Sequence, residues 1–501
     1  MNKKQKIIAS VLGVSAAIAI AATICLTQSK ILPHGLGFIQ IMLTIVMLSI
    51  GVLFLLKRSN LAYIPSALLT VVSGAVIFVS IFGFNLQNRV DDLLGNNTIT
   101  SETIGMYAAS KDYIKNKNMG KKIYASASDC KDAIFTIQDS DNKNLPSLRT
   151  TLANEYGVND GERIIYTKNM YESIDNVLDG TADVVLMFDG YVQILKETKQ
   201  YSSIESNLVK IGEIKCPINA TAETEKATET EKATQPTREI KDTYNECDVY
   251  TICILGSDTR ELDLSQSTRT DVNLVVQVKP KTKKISIIAI PRDSYINNPY
   301  LGGEDKLTHL GVYGIKNTIK GLSDWLDVDI NGYVMVNFQT FTKIIDLFGG
   351  IDIDNPYEFK TSEDASKVPM TFKKGKIHLS SSQALPYVRE RYNLDNGDFG
   401  RAEHEAIVLK AIINKILSKE TITKVFDLLD AMDGMFLTDI KSDTIYKYLQ
   451  MFYNHYTGWS IDTYRIEGDC DDLETASAPG EYLSCVVPYD ESVQTAKDML
   501  K

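Results

Sequence analysis

Acidic and basic side chains stand at the ends of three apolar segments in the second half of the sequence. The segments, each predicted to be a β-strand from its run of branched apolar residues, are 250–255, 272–278 and 285–290. The charged residues beside them are Asp258, Arg260, Arg269, Asp271, Arg292 and Asp293. Carboxylates can hold a divalent cation through oxygen, and arginines bind phosphate oxygens in pairs. These residue types therefore predict chemistry on a phosphate group.

A turn at Pro280–Lys283 should bring two of these charged groups together. The turn joins the second and third segments as an antiparallel hairpin, in which the start of one strand lies beside the end of the next. Asp271 precedes the second segment and Arg292 follows the third. We therefore predict that Asp271 and Arg292 are neighbours.

Three more arginines, Arg389, Arg391 and Arg401, follow later in the sequence. A periodic apolar pattern predicts a helix over 402–417, so Arg401 should lie where helical N–H groups attract anions. A single Asp–Arg pair is typical of a surface ion pair. Arginines from several separate segments beside strand-end aspartates favour a shared anionic ligand instead.

Familiar signatures of other enzyme classes are missing from the sequence. It contains no Gly-x-x-x-x-Gly-Lys-Ser/Thr loop, no Gly-x-Ser-x-Gly elbow and no His-Glu-x-x-His. The common nucleotide, esterase and zinc-protease interpretations therefore lack support. The histidines are scattered, and we assign no role to His309 or His404.

Three apolar stretches at the start of the chain predict a membrane anchor. Ile7–Leu26, Leu36–Leu56 and Leu61–Phe84 each approach the ~20 residues that cross a bilayer. Basic residues precede the first stretch and separate the second from the third, which predicts that both flanks are cytoplasmic and everything after residue 84 is outside. A cleaved signal peptide over 1–26 is the alternative, and we disfavour it because two further spans follow at once.

The charge is divided unequally along the chain. Residues 1–90 hold seven basic and no acidic residues, so the other 411 carry 46 basic and 64 acidic residues, a net charge of −18. A protein that coats nucleic acid needs a basic face, so we predict no nucleic-acid partner. A mean hydropathy of −0.10 excludes a protein made mostly of membrane spans.

A low-complexity segment divides the predicted exterior. Glu-Thr-Glu-Lys-Ala-Thr occurs twice over 223–234, and such a polar tract cannot offset its ordering entropy by burial. We predict an anchor at 1–90, an accessory α/β domain at 98–216, a disordered linker at 217–243 and a C-terminal domain at 244–501. The accessory domain should alternate strands at 122–125, 164–166 and 183–187 with helices at 145–156 and 170–178. It contains no histidine and nothing with catalytic spacing, which favours a scaffold or binding role.

The cysteines fit an oxidising compartment without requiring disulfides. Cys247 and Cys253 lie too far apart along one strand to bond each other. Cys470 and Cys485 bracket a turn-rich stretch and form the best candidate pair, with free buried thiols as the alternative. Without a Cys-x-x-Cys pair, a structural zinc site is disfavoured.

An ordered series of motifs runs through the second half of the sequence. The motifs are Gly-Ser-Asp-Thr-Arg (256–260), Arg-Thr-Asp (269–271), Ile-Pro-Arg-Asp-Ser (290–294), the stretch from Val-Asn-Phe to Gly-Gly-Ile-Asp (336–352), Tyr-Val-Arg-Glu-Arg (387–391) and Gly-Asp-Phe-Gly-Arg (397–401). This series resembles the LytR-CpsA-Psr family of cell-envelope glycopolymer transferases. The three spans and the accessory unit resemble its capsule-type members. The resemblance implies an α/β fold whose C-terminal domain is an α/β/α sandwich holding a polyprenyl lipid in an apolar tunnel. It also implies a multi-pass protein of the bacterial cell membrane.

The resemblance also assigns a function and residue roles. It implies transfer of an anionic cell-wall or capsular glycopolymer from an undecaprenyl-pyrophosphate carrier to peptidoglycan, which forms a phosphodiester. Asp258 and Asp271 would face Mg²⁺, or Mn²⁺ in its place, and with Arg292 would be catalytic. The lipid pyrophosphate would be bound by Arg260, Arg269, Arg292, Arg389, Arg391 and Arg401. The partners implied are the lipid-linked glycan, peptidoglycan and membrane lipid.

Two departures from the family pattern concern the headgroup contacts. The family often has Arg and Gln three and four positions after the last Gly-Arg, where this chain has His404 and Glu405. The usual Lys-Ile-Asn-x-Ala stretch is Lys-Leu-Thr-His-Leu at 306–310. Two alternatives stay open: a polyprenyl-pyrophosphate hydrolase, with water as the acceptor, and a non-enzymatic envelope regulator or scaffold.

Overall fold

The computed structural model describes most of the chain. The described residues are 3–30, 32, 34–57, 61, 63–96, 101–139, 145–158, 163–217, 249–257, 267–418, 436–454 and 458–501. The linker predicted at 217–243 lies outside them except for its first residue, and so do Cys247, Asp258 and Arg260.

Three N-terminal helices, each long and apolar enough to cross a membrane, pack against one another. They are α1 (Lys3–Gln28), α2 (His34–Leu56) and α3 (Tyr63–Asn96). Small polar side chains join α1 to α3, since Ser15 Oγ lies 2.9 Å from Thr70 Oγ1. Helix α3 continues well beyond the predicted end of the third span at Phe84.

The accessory unit is a five-stranded sheet with helices packed on it. Its strands β1 (Ser101–Ala109), β2 (Phe135–Gln138), β3 (Ile164–Thr167), β4 (Val184–Met187) and β5 (Leu208–Pro217) have the order β3-β2-β4-β1-β5. Its helices are α4 (Lys111–Asn116), α5 (Leu145–Tyr156), α6 (Met170–Leu178), α7 (Tyr191–Glu197) and α8 (Ile204–Asn207). The strand predicted at 122–125 is wrong, because residues 121–125 form no strand and the unpredicted β1 and β5 pair instead.

A mixed six-stranded sheet is the centre of the C-terminal unit. Its first three strands in sequence are β6 (Tyr250–Ser257), β7 (Thr270–Lys279) and β8 (Lys284–Ala289), and β7 pairs antiparallel with both neighbours. After the hairpin of β9 (Tyr295–Asn298) and β10 (Gly303–Lys306), β11 (Gly332–Asn337) joins the sheet parallel to β6.

Shorter elements complete the C-terminal unit. The helices are α9 (Leu307–Leu310), α10 (Ile315–Leu326), α11 (Phe338–Leu347), α12 (Ser381–Arg389), α13 (Gly397–Ile416), α14 (Ser442–Asn454) and α15 (Asp490–Leu500). The remaining strands are β12 (Ile351–Asn355), β13 (Phe359–Lys360), β14 (Thr371–Phe372), β15 (Gly375–Leu379), β16 (Phe436–Thr438), β17 (Ser460–Arg465), β18 (Gly468–Thr475) and β19 (Ala478–Pro488). The order of the main sheet is β16-β11-β6-β7-β8-β17.

Helices cover both faces of this sheet, as the predicted sandwich requires. On one face Cys253, Val275 and Ile288 pack against α10 and α15. On the other face Ile287 and Ala289 pack against α13, through Ala402 and Ala406. Alternate residues along each strand face opposite sides, so both faces of this sheet are apolar.

The anchor and the C-terminal unit are in contact. The last turns of α3 pack against Phe436 and Tyr446, and the Tyr446 hydroxyl donates a hydrogen bond to the Gln87 carbonyl at 2.8 Å. Lys30, in the connection between α1 and α2, pairs with Asp443 at 2.8 Å. That connection therefore lies on the same side of the helix bundle as the C-terminal unit.

The candidate disulfide between Cys470 and Cys485 is wrong. In the β18–β19 hairpin Cys485 is opposite Asp471 rather than Cys470. Cys470 is exposed and Cys485 is buried, and both are free thiols. Neighbouring positions along a strand point to opposite faces of the ribbon, which separates the two sulfurs.

Candidate functional site

Three of the charged residues predicted from the sequence, Arg269, Asp271 and Arg292, lie at one edge of the main sheet. Strands β6, β8, β11 and β17 run in the same direction, so their carboxyl ends share an edge with the start of β7. Arg269 and Asp271 stand at the start of β7, and Arg292 follows β8. The chain leaves β6 at this edge toward Asp258 and Arg260, which lie outside the described residues.

Asp271 and Arg292 are neighbours, which confirms the prediction from the hairpin. Arg292 Nη1 donates to Asp271 Oδ1 at 3.0 Å, and Thr308 Oγ1 lies 3.4 Å from the same oxygen. Burial opposes ionisation of Asp271, but the charges of Arg292, Arg269 and Arg401 lower its pKa below the usual range. Asp271 therefore stays an anion under the influence of three arginine charges, and we call these four residues the Asp271 cluster.

Arg401 belongs to this cluster, but the predicted start of its helix is wrong. Helix α13 begins at Gly397, so Arg401 lies in its second turn and does not line the helix N-terminus. Its guanidinium is held by Asp398, with Nη2 and Oδ1 2.6 Å apart, and by Glu405, with Nε and Oε1 3.6 Å apart. An acidic residue in the first turn is favourable at this end of a helix, which Asp398 provides.

Glu405 is a buried carboxyl group beside the cluster. Burial, helped by the nearby negative charges of Asp398 and Asp271 and opposed by Arg401, raises the pKa of Glu405 to about 8. At pH 7 it is therefore mostly a neutral acid that can both donate and accept a hydrogen bond. A glutamine has the same capacity, so the departure from the family pattern at this position is chemically small.

Arg389 and Arg391 flank Glu390 at the end of α12. Glu390 is fully buried and accepts hydrogen bonds from the backbone N–H groups of Ser362, Arg391 and Asn393, which fixes this turn. The two guanidiniums lie over aromatic rings, Arg389 above Phe338 and Arg391 above Tyr392. Among the described residues, no hydrogen bond or ion pair joins either arginine to Asp271.

The metal prediction rests on Asp258 and Asp271, of which only Asp271 is described. Within the described residues no group of three or more His, Cys, Asp or Glu side chains is arranged to hold a metal ion. The hydrogen bonds that Asp271 accepts in this part of the chain both fall on Oδ1. An ionised carboxylate fits Mg²⁺, which takes one or two carboxylates plus phosphate oxygens.

Two charged residues near the cluster were not predicted from the sequence. Lys306 Nζ lies 3.2 Å from Glu197 Oε2 and 3.6 Å from Asp293 Oδ1, and Arg269 forms an ion pair with the same Glu197. Lys306 stands in the stretch compared with the family motif, which was a usable signal. Glu197 belongs to the accessory unit and has no spacing relation to any motif.

The two histidines without an assigned role are buried structural residues. His404 stacks on Tyr387 with ring centroids 4.1 Å apart, and its Nδ1 donates to the Tyr387 carbonyl at 3.0 Å. Burial lowers the pKa of His404 to about 4, so the ring is neutral at pH 7. His309 Nδ1 lies 2.9 Å from Asp305 Oδ1 and 2.9 Å from Ser477 Oγ.

Comparison with known proteins finds relatives of one kind. The chain is 31% identical over 198 residues to a polyisoprenyl-teichoic acid–peptidoglycan teichoic acid transferase TagU of Enterococcus faecalis, which is 39% of this chain and 63% of the relative. It is 32% identical over 226 residues to the TagU of Oceanobacillus iheyensis, 43% of this chain and 66% of the relative. The matches thus span just under two thirds of these relatives.

Solved structures and a family model are also matched. The crystal structure of B. subtilis TagV, 28% identical, aligns over 50% of this chain and 95% of that chain with a TM-score of 0.41. A structure of TagT bound to LI-WTA, 23% identical, aligns over 52% and 93% with a TM-score of 0.40. The model of the LytR_cpsA_psr family matches residues 215–495, more than half of the sequence. The chain belongs to the LytR_cpsA_psr family.

Proposed function

We propose that this protein transfers an anionic cell-wall or capsular glycopolymer from an undecaprenyl-pyrophosphate carrier to peptidoglycan. The observation that carries the proposal is the Asp271 cluster. Arg269, Arg292 and Arg401 come from three separate segments; Arg292 contacts the Asp271 carboxylate, and the charges of the other two act on it. A pyrophosphate presents several anionic oxygens, and paired N–H groups of arginines suit them.

An apolar strip next to the cluster supports a lipid carrier. On the sheet face covered by α13, Ile252 and Ile254 of β6 are only half-buried, whereas Cys253 on the opposite face is fully buried. Val334, beside Ile254 in the sheet, packs against the end of α3. The strip thus lies between α13 and the last turns of a candidate membrane helix, where a polyprenyl chain could pass from the bilayer to the headgroup site.

The reaction proposed here is an exchange of one phosphate bond for another. A hydroxyl oxygen of the acceptor attacks the phosphorus nearer the glycan and forms a phosphodiester. The pyrophosphate P–O bond to the lipid phosphate breaks, the bonding electrons leave on that oxygen, and the hydroxyl proton is lost to a base. Arg292 and Arg401 stabilise the negative charge that accumulates on the transferred and leaving phosphates.

Mg²⁺, or Mn²⁺ in its place, belongs to the proposal as a cofactor. Asp271 would hold the ion together with Asp258. When bound, the ion would neutralise charge on the pyrophosphate oxygens. Asp271 is already ionised and turned toward Arg292, so the carboxylate needs no proton loss to accept a cation.

The proposed location is outside the membrane of a bacterial cell. The basic residues of the anchor support this orientation. The contact between Lys30 and Asp443 puts the α1–α2 connection and the C-terminal unit on one side, which the same orientation requires. Names of the relatives refer to teichoic acid, whereas the three spans and accessory unit resemble capsule-type members, so the class proposed is an anionic wall or capsule polymer.

The proposal is tested by supplying lipid-pyrophosphate-linked glycan and peptidoglycan to the purified full chain. We expect wild-type protein to place glycan on peptidoglycan, and Arg292→Ala to lower that rate about 10- to 100-fold. The estimate follows from about 1.5–3 kcal/mol for a charge-assisted contact and 1.36 kcal/mol per tenfold in rate. Thermal unfolding should show that the variant remains folded.

A matched control removes a cation far from the site. Lys320→Ala deletes an exposed lysine that pairs with Asp324 on α10, and it should leave transfer unchanged. Free glycan phosphate as the only wild-type product would replace the proposal with a hydrolase. Glycan binding without either product would leave the scaffold as the function.

A further inference from the structure

The accessory unit reaches the Asp271 cluster through one carboxylate. Glu197, the last residue of α7, forms an ion pair with Arg269 and lies 3.2 Å from Lys306 Nζ. Its side chain is 23% exposed, and the side chains of Arg269 and Lys306 are 17% and 7% exposed. The contact is therefore largely shielded from water, and salt screens it less than a surface pair.

Packing around α7 fixes the position of this carboxylate. At the start of the helix the Tyr191 hydroxyl donates to the Ser477 carbonyl at 2.6 Å, which ties the accessory unit to the turn between β18 and β19. Gly190 approaches the chain just before β7 so closely that an added Cβ would lie 2.8 Å from the Ser267 carbonyl oxygen. Both ends of α7 thus contact the segment that carries Arg269.

Glu197 is one member of an alternating row of charges. The row runs from Arg269 to Glu197, Lys306, Asp293, Arg292 and Asp271. Burial alone would raise the pKa of Glu197, but the facing His309 ring and the cations Arg269 and Lys306 hold it far below the usual range. Glu197 is therefore a permanent anion between two cations that would otherwise repel each other.

We propose that Glu197 is a positioning residue that the accessory unit supplies to the site, holding Arg269 and Lys306 in place for the pyrophosphate. The inference rests on the proposed function of the Asp271 cluster and adds the accessory unit to it. The ion pair with Glu197 is made by Nη1 of Arg269, one of three nitrogens in a guanidinium that carries five N–H donors. Without its anion, a buried arginine next to a buried lysine would turn toward water.

The test measures binding of geranylgeranyl pyrophosphate, a short polyprenyl pyrophosphate, to the full chain by calorimetry with Mg²⁺ present. We expect Glu197→Gln to weaken binding about tenfold, a change of about 1.4 kcal/mol. In an Arg269→Ala background the same substitution should have a smaller effect, because only the contact of Glu197 with Lys306 remains. Mass spectrometry should also show faster modification of Arg269 by phenylglyoxal in Glu197→Gln.

The matched control is Glu205→Gln, which removes an exposed carboxylate of the same unit that pairs with Lys196. It should change neither binding nor labelling. Equal thermal unfolding of both variants and the wild type would show that lost binding is not lost folding. A structural role alone would lower the unfolding temperature without accelerating labelling of Arg269 specifically.

The outcomes separate this inference from the proposed function. Tighter binding by Glu197→Gln would show that Glu197 competes with the ligand. Unchanged binding would show that Glu197 does not contribute to binding. Either result overturns the inference. If Arg292→Ala still weakens binding in that experiment, the proposed function stands. Wild-type protein that binds no pyrophosphate overturns both.

Discussion

At the scale of single residues, Glu405 shows how burial can change the chemistry of a side chain. With a pKa of about 8 it is a hydrogen-bond donor at neutral pH, and it becomes an anion only in alkaline solution. It stands beside Arg401, which we place at the pyrophosphate. The protonation state of Glu405 thus determines what an anionic ligand at Arg401 lies beside. It is a hydrogen-bond donor when Glu405 is protonated and a second negative charge when it is not.

This argument gives a prediction about pH. As the pH rises through about 8, Glu405 loses its proton, and geranylgeranyl pyrophosphate should bind roughly tenfold more weakly, a change of about 1.4 kcal/mol. Glu405→Gln should bind as the wild type does at pH 7 and show no such decline. Calorimetric titrations from pH 6.5 to 9.5 would measure both profiles.

The control for this experiment lies on the same helix. Glu403→Gln removes a carboxylate that pairs with Arg465 at 3.5 Å, and it should keep the wild-type pH profile. If the Glu405→Gln profile is identical to that of the wild type, ionisation of Glu405 plays no part in binding.

How well a residue's place could be predicted depended on how local its contacts are. Asp271 and Arg292 belong to one hairpin, so the strand pattern alone determined that they meet. Glu197 meets Arg269 across a boundary between units and a low-complexity segment. No periodicity or spacing links two residues that are brought together only by packing of separate units, so this contact could not be predicted.

At the scale of elements, α7 couples the accessory unit to the start of β7. Gly190 has a φ of −61°, which any residue can adopt, so only the lack of space at the Ser267 carbonyl demands a glycine there. We expect Gly190→Ala to displace α7, because the facing atom is backbone and cannot swing aside. Overpacking of this kind costs about 1–3 kcal/mol.

The measurement for Gly190→Ala is hydrogen exchange in full-length protein. Amides of 267–271 should exchange faster than in the wild type, and binding of geranylgeranyl pyrophosphate should weaken together with the contact of Glu197. Gly95→Ala is the control, since an added Cβ there meets nothing within 4 Å. Unchanged exchange at 267–271 would contradict the coupling.

Element boundaries were the weakest part of the sequence analysis, for identifiable reasons. Helix α13 starts earlier than predicted. Gly397 and Gly400 are poor helix formers, so the sequence of the first turn did not predict a helix, although the acidic Asp398 suits that position. Strands β1 and β5 pair across about a hundred residues, and their stability comes from that pairing rather than from a local pattern. The long apolar runs of β6, β7 and β8 were predicted closely because both faces of this sheet carry apolar side chains.

At the scale of the whole molecule, the contacts between anchor and C-terminal unit predict which residues meet the cell exterior. Cys470 is an exposed free thiol of the C-terminal unit. We expect a membrane-impermeant maleimide to label it in intact cells after mild reduction, with the site identified by mass spectrometry of the labelled peptide. Labelling of that peptide only after lysis would place the unit in the cytoplasm and contradict the proposed orientation.

The labelling experiment has a control within the protein. Cys470→Ser should abolish labelling of that peptide, whereas Cys485, buried and only 1% exposed, should stay unlabelled until the chain unfolds. Because the Cys470 thiol is exposed and serine is close to it in size, the substitution should not affect glycan transfer.

The unbroken length of α3 limits the distance between the membrane and the C-terminal unit. Its 34 residues rise about 51 Å at 1.5 Å per residue, of which about 30 Å fits the hydrocarbon core. The remaining ~20 Å forms a stiff stalk whose end is packed against the C-terminal unit, so the unit cannot drift outward as it would on a loose tether. In the proposed orientation, an acceptor strand would therefore have to reach the headgroup layer to be modified.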